Sequence, residues 1–299
     1  MAASVSEAAR SNPKVRFALV GASFFDSKGG ATSLKNGSIV DVDASQAAYL
    51  AGYASAGMTT TGTLAVIGGE RDNVTSSQMS AFSQGVNAYN LANGTSITVL
   101  GWNPVTSDGT YAGSADEVRG AAADFIAQGA DIIAPFAGDA NEGAARAVTE
   151  ASNPMVRLVW SGLTKDDLKG LTRDEAQSAE TAPMSGQSGA TVTQQADTQS
   201  FADAFSYIQI SDEVRSAIGA PVLTGVVVDY KTAMDTLIAQ ASAGEKASVV
   251  PVSLASGGVI LTGFGAYTPM LSSELKLGLS DMAGQIETGG MVISTPFDV

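Results

Sequence analysis

The fold is decided by AAYLAGYASAGMTTTGTLAVIGG, residues 47–69. The first half is dominated by good helix formers: Ala47, Ala48, Leu50, Ala51, Ala54 and Ala56. Gly52 and Gly57 let a neighbouring backbone come close. The second half, Thr63-Leu64-Ala65-Val66-Ile67, is a short apolar run closed by Gly68-Gly69, as in a strand covered on both faces of a parallel sheet. Thr59-Thr60-Thr61-Gly62 is the turn between them. A helix that ends one α/β unit, joined this tightly to a strand that begins the next, predicts a boundary between two lobes at this point.

The same alternation runs outward in both directions. Residues 2–12 read as a helix stopped at Asn12-Pro13. Residues 15–20 and 38–43 are strand-like, and Asp43 or Ser45 is a candidate cap for the alanine-rich helix. Downstream, a helix is expected over 75–91, where Met79, Phe82, Val86 and Tyr89 recur at helical spacing. A strand follows at 97–101, a helix at 114–128, a strand at 131–135 and a helix at 141–151. Residues 222–228 form the most apolar strand, and 229–243 a helix. Residues 249–254 and 259–261 are two late strands that could form a hairpin about Gly257-Gly258, and 272–286 is a final helix. Strand and helix in turn, about every 30–35 residues, is the pattern of a doubly wound parallel sheet. Ligand-facing residues then belong at the carboxyl ends of the strands.

Residues 161–200 break the rhythm. They are polar, rich in Gly, Ser, Thr and Gln, and read as an inserted surface excursion.

Composition narrows the chemistry. A chain of 299 residues with 44% hydrophobic side chains has material for two modest cores. Cysteine and histidine are both absent, which removes thiolate chemistry, disulfides, the commonest general base and the commonest metal ligand. No cofactor and no metal are expected. A net charge of −14 argues against nucleic acid, which needs clustered Lys and Arg. Residues 1–14, MAASVSEAARSNPK, have neither the basic nor the apolar region of a signal peptide.

Residues 47–69 also carry a resemblance. The family pattern AAYLAGxxAGxMTxTGxxGxxGG is similar, and the likeness continues through Phe82-Ser83-Gln84-Gly85, Gln128-Gly129-Ala130-Asp131-Ile132-Ile133 and Pro221-Val222-Leu223-Thr224-Gly225-Val226-Val227. The chain resembles the basic-membrane-protein family of ABC-transporter solute-binding proteins, many of which bind purine nucleosides. The resemblance implies a two-lobed fold of the type I periplasmic-binding-protein kind and no enzymatic activity. The alternatives are a truncated or degenerate binding protein without a high-affinity ligand and an α/β nucleoside- or sugar-processing enzyme. The absence of His and Cys disfavours the enzyme, although carboxylates alone can run glycoside chemistry. It implies a small-molecule ligand, with a nucleoside suspected, and an ABC permease as partner. It also implies an extracytoplasmic place as a lipoprotein, although this chain has no Cys to lipidate. The family's AxxNPxxxFAxxD pattern is matched at Ala9, Asn12, Pro13, Phe17 and Ala18, with Gly21 in place of its Asp. In the family that pattern lies about a third of the way along, after a first strand and an FDDxSFN motif. An incomplete first lobe is therefore expected, with strands 15–20 and 222–228 left with open edges.

The resemblance divides the chain into a first lobe of residues 1–60 and 222–247 and a second of 61–221 and 248–271, with 272–299 as a C-terminal helix and tail. It also names site residues. Tyr111 holds the place of a family aromatic that stacks on a nucleobase, and Trp102 is the alternative stacker. Gly138 and Asp139 fall in a glycine-rich turn that opens a helix, although N-capping by Asp139 or Asn141 explains those side chains equally well. Asp212 matches a carboxylate that accepts bonds from ribose hydroxyls, a role an ionised Asp can fill with its four lone-pair sites. A rival register puts 155–160 in the strand before that carboxylate and Asp166 at the site. Asp212 could also be a helix cap. Val228 replaces a family Lys, so the cation is lost there. Asp26, Glu70 and Asp229 sit at strand ends and could reach a cleft or be merely solvated.

Overall fold

The computed structural model describes residues 1–169 and 208–296. In chain order the first elements are α1 (Ala2–Ser11), β1 (Phe17–Val20), β2 (Gly37–Val42), α2 (Ser45–Met58), β3 (Thr63–Gly68) and α3 (Asn73–Asn93). Next come β4 (Thr98–Leu100), α4 (Ala115–Ala127), β5 (Ile132–Phe136), α5 (Asn141–Ala151) and β6 (Arg157–Leu163). The remainder are α6 (Asp212–Ile218), β7 (Val222–Val228), α7 (Tyr230–Ser242), β8 (Val249–Val252), β9 (Val259–Leu261) and α8 (Ser273–Glu287).

The strands form two main sheets. One has three strands in the order β1-β2-β8, all parallel. The other has six, in the order β9-β7-β6-β5-β3-β4, parallel except for β9. The α/β fold with doubly wound parallel strands agrees with the expectation. Strands β3, β5 and β7 are buried along nearly their whole length, which is why they read as continuous apolar runs instead of alternating ones.

Which strands share a sheet differs from the sequence reading. The sequence reading puts Val222–Val228 in the first lobe with residues 15–20. It lies instead inside the six-stranded sheet, between β6 and β9, with all seven residues buried. Of the two strands expected to have open edges, only β1 is at an edge, where Val20 is 46% exposed. The expected hairpin of the two late strands is absent: β8 joins the three-stranded sheet through β2, and β9 joins the six-stranded sheet through β7. Apolar content marks a strand as buried but does not say which sheet buries it.

The alanine-rich helix also changes sides. Twelve of the 14 residues of α2 are buried. It lies across α3 and against β7, β9 and α8, all of them parts of the six-stranded unit. A helix apolar all round must be enclosed on all sides, and the three-stranded sheet is too small for that. The chain therefore passes between the sheets at Asp43–Ala44, ahead of α2 and not at 59–62. Its other passages are from β7 into α7, which packs on β2 and β8, and from β8 into β9. Hydrogen bonds tie the three passages together. Asp43 N donates to the Val252 carbonyl (2.9 Å), Asp229 N to the Gly258 carbonyl (2.7 Å), and Leu254 N to Gln46 Oε1 (2.7 Å).

The expected excursion at 161–200 begins later than the sequence suggested. Ser161, Gly162 and Leu163 complete β6, and the buried Ser161 hydroxyl donates to the Pro135 carbonyl at 2.6 Å. Leu168–Lys169 then pairs with Gln209–Ile210 in a separate two-stranded ladder. Residues 170–200 lie outside the described residues.

Candidate functional site

The carboxyl ends of β3, β5, β6 and β7 lie side by side next to the passages between the sheets. β3 ends in Gly68-Gly69-Glu70-Arg71 and β5 in Phe136-Ala137-Gly138-Asp139. β6 runs into Thr164-Lys165-Asp166 and β7 into Asp229. This is where an open parallel sheet presents groups to a ligand.

Tyr111 is brought there by its own backbone. It bridges Gly68, with Gly68 N donating to the Thr110 carbonyl (2.9 Å) and Ala112 N to the Gly68 carbonyl (2.8 Å). A Cβ on Gly68 would come within 2.7 Å of the Tyr111 ring, so only glycine leaves room for it. The Tyr111 hydroxyl lies 2.8 Å from Ser76 Oγ in the first turn of α3. The Arg71 guanidinium stands over the ring at 5.9 Å from its centroid and 3.4 Å from Asp108 Oδ1.

Trp102 does not share this position. It is only 7% exposed, in a short hairpin under Gly109, and its indole fills the core. Gly138 and Asp139 are exposed in a 3₁₀ turn at the end of β5. Neither Asp139 nor Asn141 caps α5. The buried Asn141 side chain instead accepts from Ala137 N (2.8 Å) and donates to the Ser161 carbonyl (3.1 Å) and Ser161 Oγ (3.0 Å). It fixes the ends of β5 and β6 against each other.

Asp212 is elsewhere. It lies in the first turn of α6, with its side chain 83% exposed and 2.5 Å from Lys169 Nζ. The hydrogen bond and charge of Lys169 hold its carboxyl below the usual range. Ser211, not Asp212, caps α6 by accepting from Val214 N. The sequence reads as a strand over 205–210 before Asp212; there Gln209–Ile210 pairs outside the six-stranded sheet, and residues 205–207 lie outside the described residues. The sheet position next to β7 belongs to β6, as in the rival register, so Asp166 follows the strand end. Asp26 is spent on a turn: its Oδ1 accepts from Lys28 N (2.8 Å) and Gly30 N (2.9 Å), and these bonds, that from Gly30 foremost, lower its pKa.

Asp229 is not a solvated carboxylate. It is 3% exposed at the passage from β7 into α7, where it caps the helix by accepting from Thr232 N at 3.1 Å. The Lys165 ammonium lies 2.8 Å from its other oxygen, Oδ2. A cation thus stands at the end of the strand next to β7. Burial pushes the Asp229 pKa up, but the bonds from Lys165 and Thr232 outweigh it and leave the group below its usual value. A depressed folded-state pKa contributes stability above the unfolded value, and that stability is lost as pH falls through the folded one. Asp229→Asn should therefore flatten the acid limb of the unfolding free energy measured in urea. An unchanged limb would show that the pair contributes nothing to stability.

The sequence placed Asp229 at the end of the most apolar strand but left open whether it was solvated. Lys165 carried no signal, because its register rests on which segment fills the sheet beside β7.

The profile of the Bmp family, described as ABC transporter substrate-binding protein PnrA-like, matches residues 1–169. A search of curated proteins returns no match. Among solved structures, the chain is similar to an ABC transporter solute-binding protein from Aeropyrum pernix K1, with 16% identity, a TM-score of 0.64, and coverage of 98% of this chain and 74% of that one. A solute-binding protein of an ABC transporter system from Conexibacter woesei DSM 14684 gives 16% identity, a TM-score of 0.56 and coverage of 97% and 75%. A transcriptional activator of the comK gene from Bacillus halodurans gives 14% identity, a TM-score of 0.56 and the same coverage. These likenesses establish the fold as that of periplasmic-binding proteins. Among the described residues no helix is long and apolar enough to cross a membrane, and the matched family is extracytoplasmic. The chain is a small-molecule-binding component of an ABC importer and not an enzyme: it belongs to the Bmp family of PnrA-like ABC transporter substrate-binding proteins.

Proposed function

We propose that this protein binds a purine nucleoside in the cleft between its two sheet units and delivers it to an ABC permease. One observation carries the reading: four adjacent strand ends gather Tyr111, Gly138-Asp139, Lys165-Asp166 and Asp229 beside the three chain passages. The ring of Tyr111 offers a base a stacking surface. Asp166 and the Lys165–Asp229 pair offer acceptors and a donor for ribose hydroxyls. The passages act as the hinge about which the units close on the ligand. The nucleoside, the permease and lipid anchoring all come from the family resemblance.

Calorimetric titration with inosine, guanosine and adenosine tests the reading, with free ribose as the control. Saturable binding of the purine nucleosides, tighter than that of ribose, is expected. Tyr111→Ala should weaken it by about 1–3 kcal/mol, the scale of base–aromatic stacking. Tyr111→Phe should keep the affinity and lose about 1 kcal/mol of stability, because it removes the partner of the Ser76 hydroxyl. Ribose binding as tight as the nucleosides, or no nucleoside binding, would overturn the assignment.

A further inference from the structure

We propose that Arg71 is the second face of the base site, so that a flat aromatic ligand is held between its guanidinium and the Tyr111 ring. The inference rests on the nucleoside reading and adds to it a residue that determines preference for a ring. Three observations lead to it.

The first is how firmly Tyr111 is held. Its neighbours Thr110 and Ala112 are both bonded to Gly68, its hydroxyl meets Ser76, and its ring lies against the end of β3, with Thr75 and Met79 of α3 converging on the same point. A ring fixed in this way offers a ligand the side that the chain does not cover. Arg71 stands over the ring.

The second is how loosely Arg71 is held. Its side chain is 63% exposed and its ion-pair partner, Asp108, is 51% exposed at 3.4 Å. A pair this exposed contributes little, and the guanidinium can swing away at small cost. The guanidinium carbon is now 5.9 Å from the ring centroid. Two stacked contacts of about 3.5–4 Å each need roughly 7–8 Å. A shift of about 1–2 Å, within reach of a long exposed side chain, opens the slot.

The third is chemical. A guanidinium is planar, weakly hydrated and attracted to the face of a π-system, whereas an ammonium is compact and strongly hydrated. Asp108 can keep one edge of the fork bonded while the flat face covers a base. An electron-rich purine would gain from both faces and a bare sugar from neither.

The test compares the wild-type protein with Arg71→Ala, Arg71→Lys and Tyr111→Ala, and with the Arg71→Ala/Tyr111→Ala double variant, each titrated with guanosine and with ribose. Guanosine affinity should fall roughly fivefold in Arg71→Ala, the scale of a partly desolvated cation–π contact, and partly recover in Arg71→Lys. Ribose affinity should not move. The two single losses should sum to more than the loss in the double variant, because both residues act on one ring. Arg71 is exposed at a helix approach, so Arg71→Ala should unfold at the wild-type urea midpoint. Guanosine binding unchanged in Arg71→Ala, with Tyr111→Ala still weakened, would overturn the Arg71 role and leave the nucleoside reading standing. Wild-type protein that does not bind guanosine would overturn both.

Discussion

Replacing Asp131 with alanine should cost about 3–4 kcal/mol of folding stability, among the largest losses expected from a single substitution in this chain. Asp131 is 2% exposed at the start of β5. Its carboxylate accepts four hydrogen bonds from the Thr59-Thr60-Thr61 link between α2 and β3. They come from Thr59 Oγ1 at 2.5 Å, Thr60 N at 2.6 Å, Thr60 Oγ1 at 2.7 Å and Thr61 N at 3.1 Å. Alanine would leave these donors without the acceptor around which the turn is folded. Asp131→Asn keeps the shape but replaces one acceptor with a donor, so an intermediate loss is expected. Urea unfolding measures both, and a shifted midpoint with an unchanged slope would assign the effect to stability. An alanine variant as stable as the wild type would show that the threonine link holds its shape unaided.

The second large effect is expected where α2 crosses α3. A Cβ on Gly52 would lie 2.0 Å from the Phe82 carbonyl oxygen, and one on Gly85 would lie 2.0 Å from the Tyr49 carbonyl oxygen. The obstacle in each case is helix backbone, which cannot turn aside as a side chain can. Either Gly→Ala change must push the helices apart along a buried seam, at a cost of about 3 kcal/mol or more. Making both changes should prevent α2 from seating. Gly120, in the interior of α4, is the control, because nothing lies within 4 Å of a Cβ built there. Gly120→Ala should stabilise by about 0.5–1 kcal/mol through helix propensity alone. Thermal unfolding of the three single variants should thus separate crowding from propensity. Equal effects at Gly52 and Gly120 would contradict the close crossing.

Both effects begin in residues 47–69, and that stretch marks how far the sequence could be read. It contained all but the first two residues of the helix Ser45–Met58, the turn and the strand Thr63–Gly68, because alanine spacing, β-branched residues and glycine punctuation act locally. The same local signals placed α5 and β7 at their observed limits and α1, α3 and α4 to within a few residues. The doubly wound class followed from their alternation. Tyr111 was legible as a candidate because its loop follows a strand and carries an aromatic where the family has one, and the structure sets it against Gly68 at the end of β3.

Membership in a sheet was not legible. Val222–Val228 is equally apolar in either unit, and only its pairing with Leu158–Leu163 and with Val259–Leu261 puts it in the six-stranded sheet. Nor could sequence tell that α2 belongs with the unit after it, since an all-round apolar helix does not identify what encloses it. The site separated along the same line. Trp102, Asp212 and Asp26 have the right residue types, but the tertiary structure commits them to a core, a surface ion pair and a turn. Lys165 and Asp229 are 64 positions apart, and the parallel pairing of β6 with β7 makes them neighbours. Local physics sets where helices and strands begin and end, so the sequence by itself determined the elements and the fold class. Which carboxylate meets which cation depends on the order of strands across a sheet, and only the tertiary structure decided that.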